Sequence, residues 1–459
     1  MQRFKHTFVF FLHILAFFMC FAVFFLVFGN RFDFLLRPSR TFGITAFAFV
    51  VVYVLMTLVY GGFDVGAKKS KPIIYSFIVN LFVTDVVTHL FLCIMNVTVV
   101  NEGRFAYEAP WLLLCVYVAQ MLLISILAYV GNDVYFMFNK PARCLVIKHP
   151  GESARPLIKK VGKLKKQFCV EKVCDLTDPR LLDAIDQADA VFMYNLAVTE
   201  RATLVAYCYH QSKELYYSVE MADVVSMGSE QILFDDTPMV HYGVKGLTFE
   251  QRILKRAMDV LISLVGLLIA SPFMIATAIA IKLEDGGPIF YQQPRVTYAG
   301  RIFNVLKFRS MRVEDGSIHR SATKDDDRIT KVGHIIRKFR IDELPQLINI
   351  LKSDMSIVGP RPEMVENVQK YTADLPEFSY RLRAKAGLTG MAQIYGKYNT
   401  SPADKLALDL SYIERYSLLL DIKLILRTVL VLLTPDESTE EFEKQDDEKV
   451  KDETNSQKV

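Results

Sequence analysis

Asp342 and Glu343 stand side by side in RKFRIDELPQLINILKSDMSIVGPRP (337–362), with Arg337, Arg340 and Arg361 on either side. Leu344, Leu347, Ile348 and Leu351 recur at i, i+3, i+4 and i+7, which predicts one buried face of a helix. Pro345 is tolerated best in a first helical turn, so the helix is expected to start near Asp342. At that positive end the macrodipole favours ionised carboxylates, and free N–H groups can hold a phosphate. A plain N-cap beside a solvated acid is the competing reading.

The neighbouring stretches point to phosphate as well. VGPRP sets Arg361 between two prolines whose fixed φ stiffens the turn, and a guanidinium held there can pair a phosphate bidentately. VLKFRSM alternates apolar and basic residues, placing Lys307 and Arg309 on one side of an expected strand. GLTGMAQIYGK (387–397) carries three glycines and reads as a loop that lets backbone approach a ligand. Each signal has a bland counterpart: Lys307 and Arg309 as a solvated face, Arg361 as a structural anchor.

The elements that must position these residues are partly membranous. Four apolar stretches, about 7–29, 43–60, 76–100 and 110–130, approach the roughly 20 residues that span a bilayer. The first is long and has no small-residue cleavage site, so it reads as a retained helix. Arg3, Lys5, Lys68, Lys69 and Lys71 orient the set with the N-terminus inside, although Arg31, Arg37 and Arg40 in the first loop disagree. Next, CLVIKH, FCVEKVCDL and AVFMYN alternate with helical patterns, which predicts a small parallel α/β domain. Its first turn, KHPGESARP, has one glycine and lacks the G-x-G-x-x-G fingerprint of nucleotide binding. A fifth apolar run, 255–283, is basic at both ends and carries Ser271-Pro272 at its middle. It is read either as a kinked span or as a helix that enters and leaves by one face. Near the end, 412–433 is apolar but holds Asp421, Lys423 and Arg427, consistent with an interfacial or a buried core helix.

Ten acids and four bases lie in 435–459, a segment expected to be disordered. Without it the net charge rises from +4 to +10, which suits anionic lipid or phosphate-bearing ligands. Nucleic acid explains this charge poorly in a membrane-embedded chain with one Trp and no reader motif. The seven cysteines form no CxxC or zinc spacing, so free thiols are expected.

Residues 252–433 resemble the bacterial sugar transferases, the monotopic phosphoglycosyl transferases. The resemblance rests on KRAMDVLISLVGLLIASPFM, GGPIFYQQPRV, FNVLKFRSM, DDRITKVGHIIRKFRIDELPQLINILKSDMSIVGPRP, GLTGMAQIYGK and LDLSYIERYSLLLDIKLILRTVLVLL, in that order. It implies four transmembrane helices (1–135), a degenerate Rossmann-like domain (136–247), and a mostly helical catalytic domain (248–434) with a re-entrant helix broken at Ser271 and Pro272, followed by the tail. It also implies transfer of a sugar-1-phosphate from a UDP-sugar to undecaprenyl phosphate on the cytoplasmic face of the inner membrane, with UMP released and surface polysaccharide synthesis begun. Asp342 would be the nucleophile and Glu343 would hold Mg²⁺, with Asp409 also metal-associated. Arg361 would bind phosphate, and Lys307, Arg309, Gln393 and Lys397 would contact nucleotide or lipid phosphate. Thr297 replaces the family's usual glycine, and Lys397 replaces a frequent arginine and so loses the guanidinium fork. The layout is compatible with a homodimer. An inactive scaffold of a glycan-assembly complex and a UDP-releasing lipid glycosyltransferase are the alternatives; the intact acid pair argues against the first, and the nucleotide product separates the second.

Overall fold

The computed structural model describes residues 2–96, 105, 107–243, 246–312, 328–396 and 400–433. It divides into two compact units, Met1–Ser218 and Val219–Val459. Lys397 and the acidic tail lie outside the described residues.

The first unit begins with four long helices: α1 (Gln2–Gly29), α2 (Arg40–Tyr60), α3 (Ser70–Met95) and α4 (Pro110–Phe138). Each is long and apolar enough to cross a membrane. Phenylalanine does more here than face lipid. Phe17, Phe21, Phe24 and Phe25 of α1 ring Phe49 of α2 at centroid distances of 5.4 to 6.4 Å. A polar stripe on α3, from Asn80 through Thr84 and Asp85 to His89, is buried inside the bundle. Gln120 of α4 joins it, donating to Asp85 Oδ1 (3.2 Å) and to the Cys20 carbonyl (3.0 Å). Backbone and side-chain polar groups in hydrocarbon need such internal partners.

A parallel sheet follows: β1 (Ala142–Lys148), α5 (Arg155–Gly162), β2 (Phe168–Asp175), α6 (Leu181–Gln187), β3 (Ala190–Tyr194), α7 (Val198–His210) and β4 (Glu214–Tyr217). The strand order is β2-β1-β3-β4, and all pairs are parallel. The three strand segments anticipated from the sequence are β1, β2 and β3. Gln167, just before β2, donates to the carbonyls of Gly66 (2.8 Å) and Ala67 (2.9 Å) in the loop between α2 and α3. That loop therefore lies on the same side of the bundle as the sheet.

The second unit opens with α8 (Met221–Ser226) and an exposed antiparallel hairpin, β5 (Glu230–Phe234) and β6 (Thr237–His241). Its spine is α9 (Phe249–Asp285), a fifth helix of membrane-crossing length. Then come β7 (Phe290–Val296), β8 (Ile302–Phe308), α10 (Lys331–Lys338), a 3₁₀ turn (Ile341–Glu343), α11 (Gln346–Leu351) and β9 (Ser356–Val358). The chain continues through α12 (Val365–Asp374), a 3₁₀ segment (Pro376–Arg383), β10 (Gly387–Thr389), α13 (Met391–Tyr395), α14 (Pro402–Glu414) and α15 (Leu418–Leu433). The stretch 412–433 is thus two helices, broken before Leu418, with Asp421 fully buried and Leu419 exposed.

Capping and burial explain α9. Thr248 and Gln251 form a reciprocal capping box, and Gly286, at φ 71°, ends the helix. The helix continues through Pro272, without the break expected at Ser271 and Pro272. Proline cannot donate to the Leu268 carbonyl four residues back, and the Ser271 hydroxyl donates to it instead (2.8 Å). Lys255, Asp259, Ser263, Ala270, Thr277 and Ile281 are buried, whereas Leu261, Leu264, Leu268, Ile269, Phe273 and Ile279 are exposed. At its N-terminal half, Lys255 Nζ donates to Asp421 (2.7 Å), Tyr412 (3.1 Å) and the Val358 carbonyl (3.0 Å). Asp259 accepts from Ser356 Oγ and Ile357 N, both at 2.9 Å. At the other end Ile281 packs with Phe308 and Ile336, and Glu284 accepts from Lys331 N (2.8 Å) at the start of α10. Both halves of α9 therefore rest on the same body.

Removing one partner from a buried pair strands the other charge. Lys255→Met is expected to cost about 3–5 kcal/mol, read as a lower Tm in detergent. Lys255→Met combined with Asp421→Leu recovers most of that loss.

Candidate active site

The acid pair sits in a tighter turn than its sequence pattern predicts. After α10, Arg340 adopts a left-handed conformation (φ 55°, ψ 24°), and Ile341–Glu343 form one 3₁₀ turn closed by Leu344 N to the Ile341 carbonyl (3.1 Å). The α-helix starts at Gln346, four residues later than expected. Pro345 is the cause: a helix beginning at Asp342 would need its N–H for the Ile341 carbonyl, and proline has none. The buried face shifts accordingly. Leu347 and Ile350 are buried together with Gln346 and Asn349, while Leu344, Ile348 and Leu351 are only half-buried. Asn349 accepts from Leu306 N (2.9 Å) and donates to the Asn304 carbonyl (2.8 Å), fixing α11 against β8. Arg256 of α9 donates to the last carbonyls of α11, Ile350 (2.7 Å) and Leu351 (2.8 Å).

A small cavity opens beside this turn, lined by Arg295, Lys307, Glu343, Gln346, Arg361 and Gly387 among others. Lys307 Nζ donates to Glu343 Oε1 at 3.0 Å, and Arg361 Nη2 lies 3.7 Å from the same oxygen. Burial works against the charge of Glu343, but Lys307 and Arg361 outweigh it and hold the carboxyl down to about 2. Asp342 is shifted the other way, pushed up by burial and by the adjacent Glu343 against the pull of Lys307 and Arg337. Among the described residues Asp342 makes no ion pair. One acid is pinned by cations and its neighbour is left uncommitted.

Arg361 owes its place to backbone. β9 leads into Gly359-Pro360-Arg361-Pro362 and pairs with β10 in parallel, Ser356 with Gly387 and Val358 with Thr389. A Cβ on Gly387 would fall 2.1 Å from Gly359 N, and one on Gly359 would fall 2.2 Å from the Lys385 carbonyl. These glycines let two strands approach each other. The stretch expected to be a ligand-facing loop is instead β10 followed by α13, although Gly387 still lines the cavity.

The other anticipated residues divide. Lys307 faces the cavity. Arg309 does not: it is buried and bonded to both carboxylate oxygens of Asp285 and to the Pro288 carbonyl (2.8 Å), so it anchors the end of α9. β8 ends at Phe308, which is why the two bases part company. Gln393 donates to the Gly387 carbonyl (3.4 Å), behind the cavity wall. Asp409 is buried in an ion pair with Arg381 (2.7 Å), and Arg381 donates in turn to the Arg361 carbonyl (2.8 Å). Burial pushes Asp409 up to about 6 despite Arg381. Thr297 uses its hydroxyl structurally, donating to the Asp354 carbonyl and accepting from Ala386 N, each at 3.1 Å.

Arg295 and Gln346 lie within two of the stretches that carry the resemblance, GGPIFYQQPRV and the segment 337–362, but the sequence gives them no role. The hairpin register holds the missing signal. Arg295 pairs with Phe303, and residues 303, 305 and 307 share one face of β8, so Arg295 and Lys307 face the same way. No cluster of three or more His, Cys, Asp or Glu that could hold a metal occurs among the described residues. Of the two carboxylates expected to hold Mg²⁺, Glu343 is paired with Lys307 and Arg361, and Asp409 with Arg381.

Residues 250–435 match the model of the bacterial sugar transferase family. The chain is 43% identical over 188 residues to the UDP-glucose:undecaprenyl-phosphate glucose-1-phosphate transferase of Caulobacter vibrioides, covering 40% of this chain and 70% of that one. The chain belongs to the bacterial sugar transferase family. The exopolysaccharide production protein ExoY of Sinorhizobium fredii is 36% identical over 193 residues, 39% of this chain and 84% of the relative. Against the UDP-N-acetylgalactosamine-undecaprenyl-phosphate N-acetylgalactosaminephosphotransferase of Aeromonas hydrophila the identity is 41% over 186 residues, but this match spans 44% of that relative and 39% of this chain. These matches place the shared sugar transferase region in the second unit.

The Arg381 pairing generates a test of Asp409. Asp409→Asn is expected to lower Tm in detergent, because it strands the buried Arg381 without its charge partner.

Proposed function

We propose that this protein moves a sugar-1-phosphate from a UDP-sugar to undecaprenyl phosphate through a covalent phosphosugar on Asp342, releasing UMP. The observation that carries this reading is the asymmetric acid pair, with Glu343 held by Lys307 and Arg361 and Asp342 free to attack. The relatives' named reactions support the donor and acceptor classes.

A carboxylate attacks a diphosphate poorly because like charges repel. Lys307 and Arg361 offset that repulsion and stabilise charge building in the transition state. Asp342, less well solvated than a surface acid, attacks the β-phosphorus and UMP departs. Lipid phosphate then attacks the same phosphorus and frees Asp342. Both nucleophiles are already anions, so no general base is required. Mg²⁺ held by Glu343 together with the diphosphate would supply further charge neutralisation.

The membrane arrangement belongs to the same proposal. α1–α4 span the inner membrane, and the sheet of the first unit is a degenerate Rossmann-like domain on the cytoplasmic face. α9 lies at that face without crossing, both of its ends on the same side. A 37-residue helix is about 55 Å long, and both of its halves pack on one body while its other face is apolar. The product would begin a surface polysaccharide.

A screen of UDP-sugars including UDP-glucose and UDP-N-acetylgalactosamine should find one from which membranes release UMP; release of UDP alone would overturn the proposal. Asp342→Asn should abolish both turnover and a phosphosugar adduct seen by intact mass. For topology, Phe249→Cys and Leu283→Cys should react with an impermeant thiol reagent from the same side of sealed vesicles; labelling from opposite sides would make α9 a span.

A further inference from the structure

Arg295 is a cavity residue with no assigned task. It makes two hydrogen bonds, Nη1 to the Pro362 carbonyl (3.2 Å) and Nη2 to Gln293 Oε1 (2.7 Å). A guanidinium has five N–H donors, so three remain while its plane is fixed. Among the described residues no carboxylate lies within ion-pair distance of it. Burial and the neighbouring charge of Arg361 both act against its own charge. Arg295, Lys307 and Arg361 line the cavity against the single carboxylate of Glu343, so the site carries unmatched positive charge.

Arg295 is fixed to the Pro362 carbonyl, next to Arg361 in the chain, and lines the same cavity as Lys307 and Glu343.

Displacement at phosphorus is roughly in line. Within the sugar-phosphate reading above, UMP leaves on the side opposite Asp342. The acceptor phosphate must then attack opposite the Asp342–phosphorus bond, from the place UMP vacated. We propose that Arg295, beside Arg361, forms a phosphomonoester site used twice per turnover, first by departing UMP and then by the polyprenyl phosphate. In the first step the Asp342 oxygen–phosphorus bond forms and the bond from the β-phosphorus to the bridging oxygen breaks, UMP leaving with the electron pair. In the second, a lipid-phosphate oxygen bonds to that phosphorus and Asp342 departs as carboxylate. Charge balances in each step without proton transfer.

The test uses the full chain in detergent with undecaprenyl phosphate, UMP as inhibitor, and the UDP-sugar found active in the screen. In Arg295→Gln the KM for undecaprenyl phosphate and the Ki for UMP should rise together, each about tenfold or more, as expected for losing a charge-assisted contact. Arg295→Lys keeps the charge without the fork and should show smaller, still parallel rises; it decides the matter should the glutamine variant fail to fold. Movement of only one constant overturns the shared site. Unmoved constants, or a fall in Tm and kcat without them, reduce Arg295 to a prop for Pro362. If wild type releases no UMP from any UDP-sugar, the sugar-phosphate reading itself fails; an active wild type with unmoved constants in the variants removes only this inference.

Discussion

The buried pair between Lys255 and Asp421 is the constraint on which the second unit depends. Its ammonium reaches three elements at once: Asp421 of α15, Tyr412 of α14 and the Val358 carbonyl at the end of β9. Tyr412 closes the set by donating to Asp421 (2.8 Å). One turn further along α9, Asp259 holds the first residues of β9. Such a pair adds little net stability over a packed apolar core, but it penalises every arrangement that leaves a charge alone. Its effect is positional. β9 is fixed against the spine helix, and the stiff turn that follows it carries Arg361.

The Asp342–Glu343 turn is held from the opposite direction. Glu284 caps the start of α10, Arg309 ties the end of α9 to β8, and Arg256 caps the end of α11. The acid pair therefore lies in a short irregular stretch between helices that are each tied to α9. The left-handed Arg340 and the proline at 345 set the local path, and the strain of a non-glycine residue in that region is tolerated because both flanks are fixed.

Much of this was legible from the chain. Long apolar runs and the alternation of β1, β2 and β3 survive translation into structure because periodicity reports burial directly. The Asp342–Glu343 pair, Lys307 and Arg361 do come together. What misled was local competition. Pro345 withholds a donor, and one missing hydrogen bond turned a predicted helix start into a 3₁₀ turn. Arg309 was paired with Lys307 by strand alternation, yet the strand ends between them and Asp285, distant in sequence, claims it. Arg295 lies in a quoted motif, but its placement beside Lys307 depends on hairpin register, a pairing between strands that the motif does not spell out. The glycines of 387–390 signalled close approach correctly, but to another strand.

The split character of α9 has a consequence for how substrates meet. One face is welded to the catalytic body and the other is a continuous apolar strip from Leu261 to Leu283. In the proposed arrangement that strip fixes the height of the cavity relative to the lipid headgroups. The acceptor, held by its tail in the same leaflet, then arrives by diffusion in two dimensions, while the soluble donor arrives in three. Under the proposed reaction, storing the sugar phosphate on the protein between the two encounters removes any need for them to coincide.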